Sequence, residues 1–98
     1  MKLEFHPAVL GDYNEALAFY EGAGEQVVLR FEVEYRAALQ ALRVMPGRFP
    51  PYLGSKTFRR VRLRNFPFVV LYRVLPGSVR ITVLKHERRR ADYGLDRE

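Results

Sequence analysis

Arg60, Arg62 and Arg64 occupy alternate positions in the stretch FRRVRLR, with Val61 and Leu63 between them. In an extended chain this spacing puts three guanidinium groups on one side and two apolar side chains on the other. A row of planar, permanently charged forks can grip successive phosphates or carboxylates bidentately. The same row can also serve simply to keep an exposed edge strand from aggregating. A second cluster follows in KHERRRADY. His86 can carry a proton near neutral pH, Arg88, Arg89 and Arg90 supply charge, and Tyr93 offers a hydroxyl or a stacking ring. These groups could form an acid–base site able to cleave RNA. Equally, they could be a solvated basic tail.

Other catalytic equipment is missing. The chain has no glycine-rich phosphate loop, no G-x-S-x-G and no histidines paired at metal spacing. His6 and His86 lie far apart, and there is no cysteine to join them in a metal site or to form a disulfide. Ser55 and Ser78 each stand beside a turn glycine, where serine is a good turn residue. No metal and no cofactor is therefore expected. The absence of cysteine fits a reducing cytoplasm. The N-terminal residues carry no secretory pattern, and no run approaches the roughly 20 apolar residues that span a membrane. A single domain over residues 1–98 is expected, with no membrane partner.

The formal net charge of +6 is unevenly spread. Residues 1–46 hold four Lys/Arg against seven Asp/Glu, a net −3; residues 47–98 hold thirteen against four, a net +9. This asymmetry points to an acidic partner for the C-terminal half, either nucleic acid or an acidic protein.

The elements that must position these clusters can be read from periodicity. MKLEFH alternates as a short half-buried strand. A helix is predicted from about Pro7 to Glu21, with proline in its first turn and Gly22 to Gly24 stopping it. A second helix starts near Glu25 and keeps Phe31, Tyr35, Ala38, Leu39 and Leu42 on one apolar face until Pro46 ends it. The short glycine loop makes the two helices an antiparallel hairpin. PGRFPPYLGSK is irregular. FRRVRLR, FVVLYRV and SVRITVLK then read as three strands, the middle one apolar on both faces, with Pro76-Gly77 turning the last hairpin. Tyr72 is expected in the core with Phe68, Val70 and Val74. The tail HERRRADYGLDRE can hold one short helical turn at most. The fold class is α+β, in the order β-α-α-β-β-β: a helical hairpin packed on a small, mostly antiparallel four-stranded sheet. The arginines should then line the side of the sheet that the helices leave uncovered.

Four segments together resemble the RelE/ParE toxin superfamily of bacterial type II toxin–antitoxin modules, the plasmid-stabilisation type. They are HPAVLGDYNEALAFYE, LRFEVEYRAALQALRVMPGRFPPY, RRVRLRNFPFVVLYRV and ITVLKHERRRADY. The most specific pieces are RNFPFVVLYRV and the H-x-R-R…Y ending. The resemblance spans residues 4–93 and implies the family's fold, a helical hairpin on a small antiparallel sheet.

The resemblance also implies what such a chain does. RelE-like members cut messenger RNA on the ribosome; ParE-like members poison DNA gyrase and need no nuclease site. On the ribonuclease pattern, Arg60 and Arg62 match two basic strand residues, Arg88 matches the arginine after the last strand, and Tyr93 matches the C-terminal tyrosine to within a residue. A further arginine belongs early in the central strand, where this chain has Val69. Losing one donor of transition-state charge costs on the order of 10²–10³ in rate. The wording NFPFVVLYR also looks more like the ParE side. The expected function is thus a ParE-like toxin that binds gyrase, with mRNA interferase as the alternative, in a hetero-oligomer with a neutralising antitoxin. Arg60, Arg62, Arg64, His86, Arg88, Arg89 and Arg90 would meet the target or the antitoxin.

Overall fold

The computed structural model describes residues 1–98. It contains β1 (Lys2–Phe5), α1 (Ala8–Glu21), α2 (Glu25–Val44), β2 (Arg59–Arg62), β3 (Phe68–Leu75) and β4 (Ser78–His86). Two 3₁₀ turns, Pro46–Arg48 and Tyr52–Gly54, occupy the proline-rich stretch. The helices end where local chemistry requires. Gly24 adopts φ +108, which a side chain would resist, and so reverses the chain between α1 and α2. Met45, forced out of the helical region by the proline after it, closes α2 with φ −138 and ψ 73.

The sheet order is β1-β4-β3-β2, with β1 parallel to β4 and the other pairs antiparallel. Gly77, at φ +75, completes the tight β3–β4 turn. The β3–β4 register shifts between Leu71, opposite Val83, and Tyr72, opposite Ile81, so Thr82 is an extra residue on β4. Such a bulge bends the strand locally.

One face of the sheet meets the helices. Phe31, Tyr35, Ala38 and Leu42 of α2 and Val9 and Ala16 of α1 pack on Val61, Phe68, Val70, Tyr72, Val79 and Ile81. Phe31 sits edge-on to both Phe66 and Phe68, each at 5.2 Å between centroids. Each such fully buried side chain contributes roughly 1.5–3 kcal/mol. Val74 departs from its expected place and is 45% exposed. β2 begins opposite Tyr72, so Val74 has no strand beside it on that side.

The other face has its own small core of Tyr52, Val69, Leu71 and Val83, with Phe58, Tyr93 and Leu95 packed against it. The helices do leave it open, but the last dozen or so residues fold back across its centre as a series of turns. Leu95 supplies an apolar anchor there that the charged composition of the tail conceals.

Candidate functional site

Arg60 and Arg62 lie opposite Leu71 and Val69 in the ladder, so their side chains leave the second face, away from the helices. Their surroundings differ. Arg62 pairs through Nε with the Glu87 carboxylate, and its Nη1 donates to the Leu63 carbonyl at 2.9 Å. Arg60 and Arg64 are exposed and enter none of the chain's four ion pairs. The second cluster divides in the same way. Arg88 is exposed and unpaired, Arg89 pairs with Glu15 at 2.9 Å, and Arg90 pairs with Asp92 at 3.0 Å. His86 packs its ring edge-on against Phe68 and accepts the Arg88 N–H at Nδ1, 3.0 Å away.

Tyr93 is engaged on all sides. Its hydroxyl donates to Asp12 Oδ1 at 2.6 Å and accepts from Arg97 Nη2 at 2.9 Å. The Arg89 guanidinium stacks 3.8 Å from the centre of its ring, a cation–π contact. Burial pushes the phenol's pKa up, and the hydrogen bond to Asp12 and that carboxylate's charge push the same way, against the opposing pull of Arg97. A neutral phenol held between a carboxylate and a guanidinium is poorly suited to give or take a proton at neutral pH.

Asp12 and Arg97 are functional neighbours of Tyr93 that the motif reading passed over. Arg97 forks onto Asp12 at 2.6 and 3.2 Å, and the hydrogen bond to Asp12 raises the guanidinium's pKa further. One signal was present. Asp12 falls between Val9 and Ala16 on the buried face of α1, and an acid in an apolar stripe demands a cationic partner.

Five further contacts fasten the tail. Buried Lys85 donates to the carbonyls of Arg89 and Arg90, both at 3.3 Å. The Tyr52 hydroxyl donates to the Ala91 carbonyl at 2.8 Å. Gly94, at φ +77, lets the backbone close on Val83. Arg80 donates through Nε to the main-chain oxygen of Glu98 at 2.5 Å. Val69, the position without an arginine, lies 5% exposed beneath this layer. The second face is therefore a covered surface with cations around it. Such a surface can bind anionic groups.

A helical hairpin packed on one face of a four-stranded mixed sheet, with arginines on the second face, is a small α+β architecture. A structure from the chromosomal ParDE toxin–antitoxin system of P. aeruginosa superposes with a TM-score of 0.75, covering 88% of this chain and 95% of that one at 17% identity. A comparison with curated proteins finds no match. The family described as ParE toxin of type II toxin-antitoxin system, parDE, matches residues 3–93, and the chain belongs to that family. No helix is long and apolar enough to cross a membrane.

Proposed function

We propose that this chain arrests growth by binding DNA gyrase in the cytoplasm without catalysing a reaction, and that a cognate antitoxin protein neutralises it. The observation that carries this reading is the state of Tyr93. Its hydroxyl is engaged on both sides, donating to Asp12 and accepting from Arg97. Arg62, the second residue of the ribonuclease pattern, is held by Glu87, and Val69 offers no charge where the pattern calls for one. The exposed cations Arg60, Arg64 and Arg88 remain free to meet carboxylates of a protein. Attraction of this kind speeds encounter and weakens with salt.

The test is a supercoiling assay with purified gyrase and purified toxin. The expected result is dose-dependent loss of supercoiling, relieved by co-purified antitoxin. Unimpaired gyrase, together with messenger RNA cut on ribosomes by the same preparation, would replace this reading with the interferase.

A further inference from the structure

Past Ile81 the outer side of β4 has no strand beside it, because the chain leaves β1 for α1. The first backbone groups beyond that point still find partners. Arg97 Nη1 donates to the Thr82 carbonyl at 2.9 Å, and Asp12 accepts the Leu84 N–H at 3.1 Å. One residue of a parallel neighbouring strand would use the same acceptor and donor, which lie either side of Val83. The ion pair thus stands in for one residue of strand.

The next such station is vacant. The Leu84 carbonyl and the His86 N–H face the same way, since Lys85 between them pairs with Val69 on β3. The chain supplies a hydrogen-bond partner to neither. They open on a cleft of about 420 Å³ between α1 and the end of β4. Ala16, Phe19, Phe68 and Leu84 form its apolar walls, and the Glu15–Arg89 pair lies at its rim. Phe19 meets Tyr20 and His86 edge-on at 4.9 and 6.2 Å between centroids, yet is 66% exposed. Backbone donors and acceptors in partly apolar surroundings are rarely left unpaired. A volume of about 420 Å³ has room for one extended residue and its side chain.

We propose that this cleft receives one extended residue of a protein partner, apolar in its side chain and followed by carboxylates, which bonds to the Leu84 carbonyl and the His86 N–H as a continuation of the sheet. The order follows from direction. A parallel segment runs with β4, so its downstream residues pass Arg88, whose exposed and unpaired charge acidic side chains complement. Main-chain bonds supply the affinity and the apolar pocket supplies the selection. The inference does not depend on the gyrase reading, and its test is read apart from toxicity.

The probe is the blocked peptide acetyl-Gly-Ser-Leu-Asp-Glu-amide, titrated into the isotopically labelled full chain and followed by amide shifts and hydrogen exchange. Slowed exchange at the His86 amide is expected, with shifts at Leu84, Lys85 and His86. N-methylating the peptide's leucine removes its donor and should weaken binding about fivefold. Phe19→Ala, a change at an exposed position that leaves the fold intact, should weaken it about as much. Shifts confined to Arg60 and Arg64, indifference to N-methylation, or no change at His86 at millimolar peptide would each overturn the proposal.

Discussion

Asp12 and Arg97, separated by 85 residues, meet at 2.6 Å with only 3% and 14% of their side chains exposed. The carboxylate also takes the Tyr93 hydroxyl and the Leu84 N–H, so one acid on α1 ties the tail to the edge of β4. Removing one partner of a buried pair leaves the other uncompensated. Asp12→Ala should cost about 3–5 kcal/mol in urea unfolding and release the tail amides to fast hydrogen exchange. Replacing both partners, Asp12→Leu with Arg97→Met, should recover part of that loss, because no charge is then stranded. A single-variant cost below 1 kcal/mol, about that of a surface pair, would show that the pair does not hold the tail.

Gly94 lies where the tail backbone closes on Val83 of the sheet. A Cβ there would fall 2.5 Å from Val83 Cγ2, at a φ of +77 that side chains rarely adopt. Gly94→Ala should therefore destabilise by about 1–3 kcal/mol, through overpacking and backbone strain together. Adding Val83→Ala relieves the contact but not the strain, so it should restore only a fraction. Unfolding curves for Gly94→Ala, Val83→Ala and the double variant measure this directly.

Stability should fall at high pH. Burial raises the pKa of the Tyr35 phenol to about 12, with smaller contributions from Tyr13 and Asp12. The folded state thus keeps a proton that the unfolded chain loses near pH 10. The tyrosine's contribution is fully present below pH 10 and is lost as pH rises toward 12, at about 1.4 kcal/mol per pH unit. Thermal unfolding between those values, compared with Tyr35→Phe, checks the sign: the variant should lose less.

Much of this arrangement was legible in the sequence because it rests on local periods. The alternation of Arg60 and Arg62 with Val61 and Leu63 needs only the two-residue repeat of a strand, and the helix ends at Gly24 and Pro46 follow from backbone sterics. The path of the tail has no such period. Whether Tyr93 and Leu95 lie on the sheet depends on Lys85, Tyr52 and Asp12, residues scattered across three elements. Lys85 read as the start of a charge block, yet it points inward to carbonyls. The parallel β1–β4 pairing that leaves the outer side of β4 partly open is likewise a property of the whole topology.

Arg62 and Arg88 separate the two modes of action. As parts of a cationic surface they share their work with Arg60 and Arg64, so Arg62→Ala with Arg88→Ala should reduce growth arrest by less than about tenfold. Stability should change by about 0.5 kcal/mol or less per site. If they stabilised a scissile phosphate, the same double change would cost on the order of 10²–10³ or more in activity. Growth curves after graded induction, with the folded state confirmed by circular dichroism, distinguish the outcomes.

The most direct test of the central claim is a pulse-labelling time course after tightly controlled induction, with DNA and protein synthesis followed in parallel. The gyrase-binding account requires DNA synthesis to fall first while translation continues. A collapse of protein synthesis before DNA synthesis would contradict it and return Arg60, Arg62, Arg88 and Tyr93 to a catalytic role.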